Sequence, residues 1–285
     1  MQIKNYKDIL KKELQSIYDE QEVDSFFNII LEKLHGLKRI DLALSPEKVM
    51  DGTHLRQWKN IVSELKKQKP IQYILGETEF YGLPFLVNES TLIPRPETEE
   101  LVEWIIKEEA GSKKQEERLI ILDIGTGSGC IAVSLAKNIS RSEVFAIDIS
   151  EKALATAKKN AEANNVRVDF ILNDILKVGD LKQQFDIIVS NPPYVRILEK
   201  AEIKPNVLQY EPHLALFVED TDALLFYRKI AQLARKNLDP NGKLYFEINQ
   251  YLGKETVQLL EDLDFRNVSL KKDIYGNDRM ISCSL

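Results

Sequence analysis

The 285-residue sequence predicts an α/β fold: a doubly wound, seven-stranded, mostly parallel sheet preceded by a small helical bundle. Three observations predict it. From Leu119 onward, short apolar runs alternate with helix-period segments; residues 1–75 show helix periodicity alone; and the first apolar run of the second half breaks into a glycine-rich turn just before a helix.

In chain order, apolar residues recur at helical spacing at Ile9, Leu10, Leu14 and Ile17, then at Phe26, Phe27, Ile30, Leu31 and Leu34, and finally at Val49, Leu55, Trp58, Ile61, Val62 and Leu65. Breaks fall at His35-Gly36, Ser45-Pro46 and Asp51-Gly52. Residues 1–75 are therefore expected to form one helical domain. Residues 76–97 are short, aromatic and punctuated by Gly and Pro, which suits a hairpin linker. A helix is expected to begin near Thr98, followed by a solvated charged stretch from Lys113 to Arg118, within a second domain spanning 98–285. There the expected strands are RLIILDI, EVFAIDI, RVDFIL, FDIIVS and KLYFEI, with two more near Arg266–Lys271 and Arg279–Ser284. Helices are expected between them, one from about Asp222 to Asn237 after a long loop.

Composition narrows the function. The chain is 44% hydrophobic and 29% charged, with no apolar run long enough for a membrane span. The mixed-charge N-terminus lacks the apolar core of a secretory signal, so a cytoplasmic protein is expected. A formal charge of −6 argues against stable nucleic-acid binding, because Lys and Arg supply most of that affinity. The two cysteines are far apart, and the three histidines show no metal-ligand spacing, so no metal is expected.

The turn after the first strand of the second half reads Asp123-Ile124-Gly125-Thr126-Gly127-Ser128-Gly129. Glycines at this spacing let a ligand reach main-chain N–H groups. A dinucleotide fingerprint would need a third glycine where Cys130 stands, so a pyrophosphate is disfavoured. The second strand ends in Asp148, whose carboxylate can accept two ribose hydroxyls. After the third strand, Asp174 can accept from an adenine amine while the Ile175 backbone meets the ring. Each alone also reads as a tight turn, a helix cap or a loop acid; together they describe an adenosine site.

The fourth strand runs into Asn191-Pro192-Pro193-Tyr194. Two prolines fix φ and remove donors, leaving the Pro192 carbonyl as an acceptor beside the Asn191 side-chain oxygen. Two such acceptors can take both hydrogens of a planar NH₂ group and hold its nitrogen in line with an electrophile, with Tyr194 over its flat face. Amide and adenine nitrogens both meet that description.

With these motifs the second half resembles the class I, Rossmann-like, S-adenosylmethionine-dependent methyltransferases. Residues 72–102, together with EPHLALF at 211–217, FYRKI at 226–230, FEINQ at 246–250 and YGNDRM at 275–280, resemble the HemK/PrmC family of protein-(glutamine-N5) methyltransferases. The resemblance covers roughly residues 55–285. It implies methylation of the glutamine in the GGQ loop of class I peptide-chain release factors by a monomeric enzyme, the helical domain docking the substrate. Asp123, Ile124, Gly125, Thr126, Gly127, Gly129, Asp148, Asp174, Ile175 and Asn191 would bind S-adenosylmethionine, with Asp123 near its ammonium. Asn191, Pro192, Pro193 and Tyr194 would hold the glutamine amide, and Phe80 and Arg95 would shape the substrate channel. Phe80 can equally be a packed hairpin aromatic, Arg95 a partner of Glu97, Glu99 or Glu100, and the N-terminal helices a stabilising cap or dimer contact. A glutamine methyltransferase acting on a ribosomal protein, an N6-adenine nucleic-acid methyltransferase and a non-catalytic adenosine-binding module are the alternatives. The sequence departs from the family pattern in lacking glycine before Pro70, in VEDTDALLFY, and at Asn249; none of these is expected to touch the chemistry.

Overall fold

A computed structural model describes residues 1–110 and 118–285; the charged stretch expected from Lys113 lies outside them except for its last residue, Arg118. The chain divides into two compact units, Met1–Gly76 with Lys204–Tyr210, and Glu77–Ile203 with Glu211–Leu285.

The first unit holds α1 (Ile3–Leu14), α2 (Glu20–His35), α3 (Arg39–Leu44), α4 (Gly52–Leu65) and α5 (Ile71–Leu75). Asp19 and Asp51 cap α2 and α4 by accepting backbone N–H bonds, and Gly36 ends α2 in the left-handed conformation. Trp58 is fully buried against Tyr6 and Phe27, and its indole N–H donates to Nε2 of His35 at 3.0 Å, so that histidine serves packing. Ile9, Ile17 and Val49, expected in this core, are exposed, whereas Ile3, Tyr6, Val23, Leu42 and Met50 join it. The α1 stripe is formed by Ile3, Tyr6, Leu10 and Leu14; Ile9 falls off it and Ile17 lies past the helix end at Leu14. Gln68, two residues before Pro70, takes a left-handed φ of 62°, so the turn that lacks glycine is bent at that position by a residue with a Cβ.

The second unit opens with the hairpin β1 (Glu77–Phe80) and β2 (Leu83–Leu86), followed by irregular chain and α6 (Pro96–Ala110), which starts two residues earlier than expected. Then come β3 (Leu119–Ile124), α7 (Cys130–Asn138), β4 (Ser142–Asp148), α8 (Glu151–Ala163), β5 (Val168–Leu172) and β6 (Phe185–Ser190). The expected long loop contains β7 (Val195–Arg196), a 3₁₀ turn, α9 (Pro205–Tyr210, grouped with the first unit), α10 (His213–Leu216) and β8 (Phe217–Val218), with β7 and β8 pairing in parallel. The chain ends with α11 (Leu225–Asn237), β9 (Leu238–Glu247), α12 (Gly253–Asp262), β10 (Arg266–Lys272) and β11 (Asp278–Ser284). The helix expected from Asp222 starts at Leu225, because Asp220–Asp222 is a 3₁₀ turn. Strand β9 starts five residues before the expected Lys243: Leu238 pairs with Phe185, and the chain bulges before Lys243 meets Ile187.

Seven strands form one sheet in the order β10-β11-β9-β6-β3-β4-β5, parallel except where β11 pairs with β9 and β10. The parallel strands are buried on both faces, which explains their continuous Ile, Leu and Val runs. The hairpin packs on α8: the Asn160 amide accepts from the Leu86 N–H at 2.7 Å and donates to the Leu86 carbonyl at 3.0 Å. Among the described residues no helix is long and apolar enough to cross a membrane.

Candidate active site

Strands β3, β4 and β6 are neighbours, so the glycine turn, Asp148 and Asn191 leave the same edge of the sheet. The turn is latched to β4: the Gly125 and Thr126 N–H groups donate to the Ile147 carbonyl, and the Gly127 N–H donates to Oδ2 of Asp148 at 2.8 Å. Gly125, Gly127 and Gly129 all have positive φ. Gly129, at the start of α7, is also confined, since a Cβ there would lie 3.0 Å from the Ala157 Cβ. On the other side, the Ser190 hydroxyl donates to the Ile124 carbonyl at 2.7 Å, fastening the end of β6 to the end of β3.

Asp123 is fully buried. Its Oδ2 accepts from the Thr126 hydroxyl at 2.6 Å, while Oδ1 has no partner among the described residues. An orphaned buried carboxylate oxygen below a glycine turn suits a ligand carrying a cation rather than a phosphate. Burial pushes the Asp123 carboxyl up to about 7, opposed by the Thr126 hydroxyl. A carboxyl raised above its ordinary 3.8 binds more protons folded than unfolded, so its stabilising contribution is present at low pH and lost as pH rises through about 7. The ligand-free protein is thus expected to lose stability between about pH 4 and 7, and Asp123→Asn should reduce that slope in urea titrations. An unchanged slope in the variant would remove Asp123 as its source.

Asp148 accepts from the Gly127 N–H through Oδ2 and from the Ser150 N–H through Oδ1, and remains partly exposed. Desolvation raises its carboxyl, against those two bonds. Asp174 accepts from the Leu176 N–H at 3.0 Å and pairs with Lys177, with Ile175 buried beside it.

At the end of β6, Nδ2 of Asn191 donates to the Thr98 hydroxyl oxygen at 3.2 Å. None of the described hydrogen bonds ends on Oδ1 of Asn191 or on the Pro192 carbonyl. The Tyr194 hydroxyl donates to Oε1 of Glu247 at 2.9 Å, and burial followed by the Glu247 charge raises that phenol, which stays protonated. Glu247 is 1% exposed, with its carboxyl raised by burial.

Two expected site residues have structural partners, and Arg95 also lies near enough to Tyr194 for its charge to act on that phenol. Phe80 is 1% exposed and meets Phe85 edge-on, leaving no ring surface to line a channel. Arg95 does not pair with Glu97, Glu99 or Glu100: it donates to the buried carboxylate of Glu211 at 2.5 Å, which also accepts from the Ile93 N–H. Asn249, expected to be remote from the chemistry, donates through Nδ2 to the Tyr194 carbonyl at 2.9 Å and to Glu199 at 2.8 Å. Sequence reasoning missed Thr98, Glu247 and this role of Asn249. The available signal was the charged residue closing the apolar run of β9. A surface groove of about 690 Å³ lined by Tyr81, Trp104, Lys271 and Met280 contains none of the candidate site residues, and the Lys271 ammonium lies over Trp104 there.

Known proteins resemble this chain in sequence and fold. The profile of the Methyltransferase small domain matches residues 109–210, and that of the PrmC N-terminal domain residues 9–76. The release factor glutamine methyltransferase of Flavobacterium psychrophilum is 67% identical over 281 residues, covering 99% of this chain and 98% of its own. The protein of the same name from Bacteroides thetaiotaomicron is 45% identical over 276 residues, covering 96% and 97%. A solved methyltransferase from Pyrococcus furiosus shares the fold at 19% identity and a TM-score of 0.51, covering 72% of this chain and 90% of that one. With a near full-length match at two-thirds identity on a class I methyltransferase sheet, the chain belongs to the family of release factor glutamine methyltransferases, enzymes dependent on S-adenosylmethionine.

Proposed function

We propose that this chain transfers a methyl group from S-adenosylmethionine to the side-chain amide nitrogen of the glutamine in the GGQ loop of class I release factors. It would act as a cytoplasmic monomer without stable nucleic-acid binding. The observation that carries the reading is the pair of acceptors, Asn191 Oδ1 and the Pro192 carbonyl, next to the glycine turn on the adjacent strand. The names of the relatives at 67% and 45% identity supply the substrate.

When bound, S-adenosylmethionine supplies an electrophilic methyl group on a sulfonium. The turn Asp123 to Gly129 would hold its amino acid end, with Asp123 toward the ammonium; Asp148 would accept from the ribose, and Asp174 and Ile175 would frame the adenine. Asn191 and Pro192 accept the two N–H groups of the glutamine amide, which turns the nitrogen lone pair toward the methyl. Tyr194 covers the flat face of the amide, its hydroxyl held by Glu247. No base is needed early, because the nitrogen becomes acidic only as it gains the methyl: the new N–C bond replaces the donor's C–S bond, leaving a neutral thioether, and one hydrogen then leaves as a proton to water. Residues 1–75 would dock the release factor, with 76–97 as linker and 98–285 as catalytic domain, and the net charge of −6 favours a protein partner over a phosphate backbone.

The test is transfer of labelled methyl to a release factor, its GGQ→GGA variant, a ribosomal-protein glutamine substrate and adenine-containing DNA, mapped by mass spectrometry. Label confined to the GGQ glutamine is expected. Label on DNA, or on the ribosomal protein alone, would move the function to one of those alternatives.

A further inference from the structure

Glu247 is a carboxylate whose only part in the mechanism is to hold the Tyr194 hydroxyl, yet the fold buries it almost completely without a hydrogen-bonded cation among the described residues. Arg279 is near enough to act at a distance, but its described hydrogen bonds go to Asp273 and the Ile248 carbonyl. Burying an acid this way is costly, so its two bonds need a purpose.

Burial raises the Glu247 carboxyl, but the Thr98 and Tyr194 hydroxyls and the nearby Arg279 charge oppose it and favour the ionised form, which can only accept. The Thr98 hydroxyl must therefore donate its single hydrogen to Oε2 of Glu247, at 2.6 Å. With that hydrogen committed, the Thr98 oxygen faces Asn191 with lone pairs only, and it accepts from Nδ2 at 3.2 Å. An amide flipped end for end would bring two acceptors together. The Asn191 oxygen is thereby turned away from Thr98. The same carboxylate takes the Tyr194 hydroxyl on Oε1. Both ends of the Asn191–Tyr194 turn are oriented from one buried group, reached from α6 on one side and carried at the end of β9 on the other.

We infer that Thr98 and Glu247 are positioning residues that fix the polarity of the Asn191 amide, so that its oxygen, and not its NH₂, faces the nitrogen to be methylated. This rests on the proposed function, since it presumes an NH₂ group as methyl acceptor. Thr98 touches neither substrate nor donor; it acts only through Asn191.

The test compares Thr98→Val, Thr98→Ser and Glu247→Gln in the full-length protein. Readouts are turnover and KM with a release factor, the dissociation constant of S-adenosylmethionine by calorimetry, and Tm. Valine keeps the shape of threonine but removes the donor and the acceptor together. Thr98→Val and Glu247→Gln should each lower kcat by about tenfold or more, with KM and donor affinity within about twofold of the parent, and Thr98→Ser should restore kcat. Single-turnover measurements with labelled donor then close a double-mutant cycle with Asn191→Ala. Adding Thr98→Val to Asn191→Ala should cost nothing further, because the residue it orients is already gone. Full kcat in Thr98→Val, a loss shared equally by Thr98→Ser, or an additive loss on top of Asn191→Ala would each overturn the inference. Failure of the parent protein itself to methylate the release factor would instead sink the proposed function, so the two failures are distinct.

Discussion

Asn191→Ala is expected to lower methyl transfer to a release factor by at least about 100-fold, the order of loss seen when a single preorganised polar group is removed from a reacting centre. The side chain is half-buried, and its one described bond runs to Thr98, so truncation leaves the strand ladder of β6 intact. On the proposed function, what disappears is an acceptor whose worth would be realised as the amide nitrogen pyramidalises. The loss should therefore fall on kcat more than on KM. Donor affinity should stay within a few-fold of the parent, because Asp123, Asp148 and the glycine turn are untouched. Calorimetry with S-adenosylmethionine beside a labelled-methyl assay decides the matter. Unaltered turnover, or an equal collapse of donor binding, would show that Asn191 does not act on the amide as described.

Asp148→Ala should have the complementary effect: donor affinity weakened by about 10- to 100-fold, the range for losing charge-assisted hydrogen bonds. The carboxylate also receives the Gly127 and Ser150 N–H groups, so the substitution loosens the turn as well as removing a ribose acceptor. Asp148→Asn separates these contributions. Its carbonyl can still accept one N–H, so any excess loss in the alanine variant over the asparagine variant measures the turn itself. At saturating donor, kcat should recover most of its parental value in both variants. A donor dissociation constant that does not change would exclude Asp148 from the donor site.

Why so much of this site was legible is a matter of local chemistry. Gly125, Gly127 and Gly129 announce themselves because positive φ at three alternate positions is a backbone demand that few other residues meet. Asp148 and Asn191 were legible because each stands at the end of a strand, where a doubly wound sheet presents its ligands. Thr98 and Glu247 were not, since their bond joins positions 149 residues apart and depends on which side chains α6 and β9 bring together. Arg95 was misassigned for the same reason: three acids were near in sequence, but the acid that receives it lies 116 residues away. Asn249 shows a subtler limit. A residue at odds with the family pattern looked incidental until the fold put its amide against the Tyr194 carbonyl. In the helical unit, periodicity found the helices but put Ile9 and Ile17 in the core, because spacing alone fixes neither which apolar residues centre the buried stripe nor where the helix ends.

The bond from the Ser190 hydroxyl to the Ile124 carbonyl, with the rungs Asp123 to Val189 and Ile124 to Ser190, sets the spacing between the glycine turn, the proposed donor site, and the Asn191–Tyr194 turn, the proposed acceptor site. That spacing owes nothing to the number of residues lying between them along the chain. Insertions or deletions at the far ends of α7, α8 or the connection before β6 can accordingly accumulate without altering the reach of the methyl group. A single substitution that slips the β3–β6 register would misalign every reacting atom at once.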